Sequence, residues 1–515
     1  MNYYKLENIP AQITLHEALS DRLREQSAHL AMPCGGMGRC GKCLVKASGA
    51  LLSPNENELR LLSEEDTSNG MRLSCLAVCA GGDIEVWIEE GNTSSEIQLD
   101  GVFGMFELSP VVCVPKEGAY GLAVDIGTTT VAVYLCDLAA GGIIKTGAFQ
   151  NPQRMYGADV ITRIGYVIGE PERLSLMREL IISGINEKIT SFGVDSDMIS
   201  AAAITGNTTM LHMFCALDPT GIANAPFIPA SLFGNKIPAS ETGLATAPYA
   251  PVYLMPCAAA YVGGDITSGM IAAGFDTAEG INLYVDIGTN GEMALGGRDG
   301  ITLCATAAGP AFEGAHIECG MSGTEGAVCD VYFGKNGLET NVIGGGTPRG
   351  ICGSALIDAV AIMLERGALG ETGRLEGDEI EDGKWYIDKE NGIYISGQDI
   401  REVQLAKAAV CAGVMTMLED TGAKLEDISR VFIAGGFGAH INSDNACAIG
   451  LLPPSLADRI EIVGNTAGMG AVMYLLAQDA RNRIAAVNEI SRYIELSGNE
   501  FFMDEYVEQM MFGEE

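Results

Sequence analysis

Apolar positions along the chain fall into helical and strand rhythms that succeed one another. Leu15, Leu19 and Leu23 recur every fourth residue behind Thr14-Leu15-His16-Glu17. That tetrapeptide is a capping box, in which Thr and Glu satisfy backbone N–H groups reciprocally, so a short amphipathic helix is predicted. Ser53-Pro54-Asn55-Glu56 predicts a second helix start, with Pro at the first helical position. Asp83 to Ile88 alternates and predicts a strand. Farther on, an apolar run ending at Val124 and a second from Val131 to Leu135 flank a tight turn. The pattern returns with a run ending at Val285 and another from Glu292 to Leu295. Arg430 to Ala434 predicts a strand that enters Gly435-Gly436-Phe437-Gly438 and then a helix. Asp399-Ile400-Arg401-Glu402 caps a helix to about Leu418 whose Ala/Val/Met face reads as core, and Gly464 to Gly470 opens a further apolar helix. The tail from Arg481 onward is charged and mixed and carries no functional signal.

The two strand-turn-strand units are copies of each other. Val124-Asp125-Ile126-Gly127-Thr128-Thr129-Thr130 recurs as Val285-Asp286-Ile287-Gly288-Thr289-Asn290-Gly291. Gly127 and Gly288 permit the turn, and Thr128, Thr129, Thr289 and Asn290 offer N–H, amide and hydroxyl donors to phosphate oxygens. Asp125 and Asp286 are placed to hold Mg²⁺ through water, because Mg²⁺ keeps its hydration shell. Gly435, Gly436 and Gly438 let an adenine or ribose lie against backbone. Two related lobes gripping one polyphosphate between them, with a nucleotide's adenosine at the third motif, are therefore predicted. Asn207 and Thr208, in Thr205 to Met213, read either as phosphate sensors or as plain helix capping. Gly309-Pro310-Ala311-Phe312-Glu313 makes Gly309 a candidate nucleotide contact and places Glu313 either at the nucleotide, where it could position the attacking water, or at the partner face. His212, His316 and His440 read as structural residues.

A second chemistry lies near the N-terminus. Cys34, Cys40 and Cys43 share the run C-G-G-M-G-R-C-G-K-C, and Cys75 follows at a distance. The run is one residue longer than the plant-type ferredoxin spacing, whose four thiolates hold a [2Fe-2S] cluster. Gly35, Gly36, Gly38 and Gly41 let backbone N–H groups approach the sulfides. Structural zinc is the alternative, though zinc sites more often use paired C-x2-C knuckles. Cys79 competes with Cys75 as fourth ligand, and Cys75 is preferred. The element order is compatible with a β-grasp ferredoxin domain over 1–90. Residues 91–117 read as a connector, either extended or packed on the next domain. Lobe I covers 118–280 and lobe II covers 281–515, with C-terminal helices returning to lobe I. The fold class is α/β and multidomain.

Composition narrows the field. The 515 residues are 47% hydrophobic and 19% charged, with a formal net charge of −36, as in a folded protein with an acidic surface. That charge argues against nucleic acid and against an anionic membrane as partners. No run of about 18 apolar residues spans a bilayer, and Met1 to Pro10 has no signal-peptide core. Fifteen scattered cysteines suit a reducing cytoplasm rather than a disulfide scaffold, and most outside the quartet, such as Cys215 and Cys411, read as small core residues. Five histidines make a His-rich metal site a poor fit.

The V-D-I-G-T repeat and V-F-I-A-G-G-F-G together resemble the phosphate and adenosine motifs of the acetate kinase, sugar kinase, Hsc70 and actin superfamily, whose lobes are duplicated ribonuclease H-like folds. More narrowly, the chain is similar to the reductive activators of corrinoid-dependent enzymes, which join an N-terminal [2Fe-2S] domain to this ATPase. The resemblance includes Asn151-Pro152-Gln153 with Tyr156-Gly157-Ala158-Asp159-Val160, Thr205 to Met210, Ala307 to Gly314, and Gly350-Ile351-Cys352-Gly353-Ser354. Some relatives carry a C-terminal [4Fe-4S] module; here the last cysteine is Cys447. The resemblance implies one electron passed from the cluster to Co(II) of a corrinoid protein in a methyltransferase system, regenerating Co(I), with ferredoxin or flavodoxin as donor. A one-electron deficit of about 100–150 mV is roughly 2.3–3.5 kcal/mol, within reach of an ATP-driven conformational cycle. A homodimer fits the resemblance. A radical-dehydratase activator, a small-molecule kinase and an actin-like assembly protein are the alternatives on the same fold.

Overall fold

A computed structural model describes residues 3–9, 18–20, 23, 43–89, 101–102, 106–112, 118–335, 337–435 and 441–513. By internal contacts the chain divides into two compact units, Met1–Ser95 with Gln150–Ile181, and Glu96–Phe149 with Ile182–Glu515. No helix among the described residues is long and apolar enough to cross a membrane.

The first unit contains a four-stranded antiparallel sheet, in spatial order Tyr3–Ile9, Cys79–Glu89, Leu44–Leu51, Met71–Leu73. The alternation read at Asp83 to Ile88 is visible in burial, with Ile84 and Val86 inside and Asp83 and Glu85 outside. Those two pack with Leu19, Leu23, Val45, Ala47, Ala77 and Cys79 into a small core. The helix Glu56–Leu61 is capped by Asn55, whose side chain accepts the Glu58 N–H at 2.9 Å. Ser53 is therefore not the cap; an Asn two residues later offers the same short acceptor, and the helix starts from it. The Thr14 capping box lies outside the described residues. In 150–181, Asn151 and Asp159 cap two short helical segments, and the fully buried Arg163 donates to the Gly157 carbonyl at 2.9 Å.

The second unit is built on two six-stranded sheets. One runs Gly142–Gln150, Thr130–Asp137, Tyr120–Ile126, Ile199–Gly206, Pro251–Leu254, Lys236–Pro238 in spatial order. The other runs Ile460–Gly464, Ile428–Ala434, Ile281–Ile287, Gly291–Gly297, Gly300–Thr306, Ser491–Tyr493. In each, an antiparallel hairpin is flanked by a parallel strand, Ile199–Gly206 beside the first hairpin and Ile428–Ala434 beside the second. The sequence repeat is thus a repeat of topology, and the α/β expectation holds.

One core joins the sheets. Ala123, Ala203, Tyr284 and Phe432 belong to it together with residues of two helices, Gly264–Ala273 and Thr466–Leu476. The helices touch through their smallest residues. A Cβ at Gly470 would lie 2.2 Å from the Ser268 carbonyl oxygen, and one at Gly269 would lie 2.4 Å from the Tyr284 hydroxyl. Tyr284 and Thr466 share a hydrogen bond of 2.8 Å across this crossing. The outer face of the second sheet packs on Gly353–Glu365 and Gly397–Thr421. The latter helix is capped by Ser396, with Asp399 as its capping-box partner. Asp399 is thus inside the first turn rather than before it, because its carboxylate is needed to return to the Ser396 N–H at 2.9 Å.

Of the 91–117 connector, the described residues run along the crossing. Val102 N–H donates to the Val463 carbonyl at 3.1 Å, and Ser109 and Val111 N–H to Leu476 and Leu475 at 2.8 and 2.9 Å. The tail has a structural use: Ser491–Tyr493 extends the second sheet, and Glu500–Glu508 packs on Gly397–Thr421. Cys411 is buried as expected, while Cys215 is half-buried.

Gly470→Ala is expected to cost about 1–3 kcal/mol through overpacking of the helix crossing, read as a lower denaturant midpoint. Lys407 supplies a pH test. It is 1% exposed, its ammonium donates to the Met511 carbonyl, and burial pushes its pKa down to about 8. Between there and the ordinary value of about 10.4 the unfolded chain holds the extra proton, so this residue's penalty on stability lessens as pH rises through that window. The stability difference between wild type and Lys407→Met should shift in favour of wild type from pH 7.5 to pH 10, measured by chemical denaturation of both.

Candidate functional site

Strand alternation aims the acidic residues. Asp125 has the parity of Ala123, and Asp286 that of Tyr284, both of which lie in the core between the sheets. Each aspartate therefore stands at the end of its strand on the inner face. Glu292 shares its face with Ala294 and is 8% exposed. Two helix N-termini meet the same place. Gly264–Ala273 brings Asp265 in its first turn, and Thr466–Leu476 brings its cap Asn465, which hydrogen-bonds to Asp125.

These carboxylates repel one another in a poorly solvated place. Burial raises Asp125 to about 6, partly offset by the Asn465 hydrogen bond. Burial, then Asp125 and Glu313, raise Asp286 to about 7. Asp265 and Glu292 are raised as well, first by burial and then by these neighbours. A hard-oxygen donor set under mutual repulsion suits a hydrated divalent cation, and the positive ends of two helix dipoles favour the negative charge. No three His, Cys, Asp or Glu side chains among the described residues converge closely enough to clasp an ion directly.

The hairpin turns converge on one carboxylate. Thr129 donates to Glu313 Oε2 at 2.8 Å and Thr289 to Glu313 Oε1 at 2.8 Å. Glu313 thereby bridges the two copies of the repeat. Gly309, in the left-handed region at φ 79°, donates its N–H to the Thr289 carbonyl at 3.0 Å. Asn207 caps its helix by accepting the Met210 N–H at 2.9 Å, and its amide also donates to the Thr128 hydroxyl at 3.0 Å. The capping reading of Asn207 is met, and its amide additionally reaches the first hairpin turn. Thr208 is buried, and its hydroxyl is turned to the Ala259 carbonyl at 2.7 Å. A Cβ at Gly127 would fall 2.6 Å from the Thr130 carbonyl oxygen, so the first turn demands glycine; at Gly288 a Cβ would make only ordinary contacts. The Asn290 amide donates to Glu292 at 3.2 Å. Gly435, at φ 98°, has no room for a side chain because Asp286 Oδ1 would lie 2.7 Å from its Cβ. Gly436, Gly438 and His440 lie outside the described residues. His212 is buried and hydrogen-bonded, and His316 stands 3.7 Å from Glu402.

In the first unit, Cys43 and Cys75 bring their sulfurs to 3.2 Å. Cys34 and Cys40 lie outside the described residues. The Cys75 turn is held from behind. Glu58, with no exposure, accepts from Arg72 Nε at 2.8 Å, from Arg72 Nη2 at 2.9 Å and from the Leu73 N–H at 2.9 Å. The Ser74 N–H then donates to the Cys43 carbonyl at 3.0 Å, which fixes one cysteine segment to the other. Two soft thiol donors from distant segments, directed at one point, suit an iron–sulfur centre. Cys79 is fully buried in the small apolar core.

Sequence reasoning missed Asp265, Glu292 and Asn465. Val262-Gly263-Gly264-Asp265 before an apolar helix was the available signal for the first, since a Cβ at Gly263 would fall 2.4 Å from the Asn207 Cα. Glu292 follows the second turn directly, and Asn465 sits in the Gly464-Asn465-Thr466 helix start.

Comparison with known proteins gives matches over most of the chain. A family model described as the RACo middle region matches residues 120–278, and one described as the C-terminal domain of RACo, the ASKHA domain, matches 280–515. The corrinoid activation enzyme RamQ of Eubacterium limosum is 34% identical over 424 residues, covering 78% of this chain and 71% of that protein. A Co(II) methylated amine-specific corrinoid protein reductase of Methanosarcina barkeri is 28% identical over 378 residues, covering 67% and 68%. A solved structure titled reductive activator for corrinoid, iron-sulfur protein superposes with TM-score 0.71 at 32% identity, covering 99% of this chain and 98% of that one.

Glu58→Ala is expected to cost about 3–5 kcal/mol in the first unit, because it strands the buried Arg72 charge. Limited proteolysis should show earlier cleavage within 43–89.

Proposed function

The chain belongs to the RACo family of reductive activators of corrinoid proteins, with an ASKHA domain, and on that premise we propose that ATP turnover between its lobes drives one-electron reduction of a partner's cobalt from Co(II) to Co(I). The observation that carries the nucleotide half is the convergence of Thr129 and Thr289 on Glu313. Two copies of one hairpin joined by a single carboxylate form a clamp whose halves move only if that bridge breaks. Phosphate oxygens compete for the same hydroxyls, so nucleotide and Glu313 exchange places as partners of Thr129 and Thr289. Thr128 and Asn207 line the first turn, Asn290 and Gly309 the second, and Gly435 closes the backbone behind Asp286. Asp125 and Asp286 would hold Mg²⁺ through water, with Asp265 and Glu292 around them. Freed from the two hydroxyls, the Glu313 carboxylate can accept a proton from a water beside the terminal phosphate.

The electron-carrying half rests on Cys43 and Cys75, with Cys34 and Cys40 as the remaining ligands of a [2Fe-2S] cluster in a ferredoxin-type domain over 1–90. Such a cluster supplies a one-electron carrier near roughly −400 mV. Glu58 and Arg72 hold the Cys75 turn so that its thiol stays beside that of Cys43. A soluble ferredoxin or flavodoxin is the proposed donor. The proposed acceptor is a corrinoid protein of a methyltransferase system; the relative acting on a methylated amine-specific corrinoid protein favours that class.

Anaerobically purified protein with ATP, Mg²⁺ and a low-potential reductant should convert Co(II) to Co(I) on a cognate corrinoid protein, followed by absorbance. An undiminished rate without nucleotide would falsify the reading. Cys43→Ser should lose iron and reduction while still binding ATP. Asp286→Ala should keep its iron while ATP-dependent turnover falls about tenfold or more.

A further inference from the structure

His212 is fully buried, yet both ring nitrogens are engaged. Nδ1 lies 2.7 Å from the Thr208 carbonyl oxygen, and Nε2 lies 3.3 Å from the Ser231 backbone nitrogen. A carbonyl can only accept and a backbone N–H can only donate, so Nδ1 carries the proton and Nε2 is the acceptor. The ring is therefore neutral and locked in one tautomer. Burial, which holds the imidazole below the ordinary histidine range, agrees with this.

The two partners of the ring belong to different parts of the structure. Thr208 begins the helix Thr208–Cys215, directly after Asn207, whose amide holds the Thr128 hydroxyl of the first phosphate hairpin. Ser231 belongs to the loop 224–235, which exposes Ile228 at 66% and Leu232 at 44%. The loop is strained. Phe227 and Phe233 take φ values of 56° and 58°, a region that bulky side chains avoid. Phe233 packs edge-on against His212, with ring centroids 5.0 Å apart, and its N–H donates to the Ser231 hydroxyl at 3.0 Å. His212 is thus the post against which the strained turn is held.

We propose that His212 is a positioning residue that transmits the state of the Thr128–Asn207 contact, through the first turn of its helix, to the exposed loop 224–235. This rests on the nucleotide reading above: when Thr128 and Asn207 turn to a phosphate, Thr208 shifts with them, and the imidazole carries that shift to Ser231. The loop then presents Ile228 and Leu232 differently in the two nucleotide states.

Hydrogen exchange of the loop amides, with and without Mg²⁺ and a non-hydrolysable ATP analogue, tests this on the full chain, with calorimetry reporting binding separately. Wild type should show at least about a threefold change in exchange over 227–233. His212→Asn places an amide near the Nδ1 position and keeps the Thr208 link alone; His212→Gln reaches the Nε2 position and keeps the Ser231 link alone. Both should bind the analogue with a Kd within about threefold of wild type; His212→Asn should lose the loop response, and His212→Gln, still tied to Ser231 from the same helix, should keep it. A response retained in His212→Asn, or lost in His212→Gln, would overturn the inference. So would a wild-type loop indifferent to an analogue that calorimetry shows to be bound, a measurement that needs no variant. Absence of binding by wild type overturns the nucleotide reading itself and this inference with it.

Discussion

The constraint on which the site depends is the repulsion among carboxylates brought together between two sheets. Asp125, Asp265, Asp286 and Glu292 are all pushed above the usual carboxylate range, first by burial and then by each other or by Glu313, apart from Asp125, where burial is the raising cause. A protein keeps such an arrangement only where something else offsets it. Here the offsets are structural: the Asn465 cap on Asp125 and two helices that direct their positive ends to the strand termini. The remaining imbalance is the physical support for the proposal that a divalent cation with its phosphates is held here. On that proposal, affinity for the pair and the mutual repulsion of the carboxylates are the same property seen from two sides.

Glu313 ties together the two copies of the duplicated hairpin, a contact that neither copy could make alone. Each hairpin offers one hydroxyl, and a residue outside both repeats takes both. The small helical turn Ala311–Glu313 carries it, against a backbone already hydrogen-bonded to Thr289 through Gly309. The clamp is therefore asymmetric. Its carboxylate sits beside the second hairpin and reaches across to the first.

What was legible in the sequence was what local chemistry dictates. The two V-D-I-G-T turns, the strand into Gly435 and the alternation at Asp83 to Ile88 are contiguous patterns, and the structure contains each element. Cap positions were less legible, because Ser53 and Asn55, or Ser396 and Asp399, are chemically near-equivalent and only the backbone chooses between them. Asp265, Glu292 and Asn465 come from separate helices and strands, and their proximity is a product of packing alone. The Glu58–Arg72 pair behind Cys75 is of the same kind: an ordinary Glu on a surface-like helix, buried by a turn that the sequence does not announce.

The crossing of Gly264–Ala273 over Thr466–Leu476 has a mechanical consequence. Where Gly470 meets the Ser268 carbonyl the two backbones approach directly, and the Ser268 hydroxyl reaches the Ala467 carbonyl of the other helix at 3.3 Å. A displacement of one sheet against the other would have to be borne at this close backbone bearing, as shear between the two helices. The acidic strand ends and both helix starts lie at one end of that bearing, where a small translation changes the spacing of charges most directly.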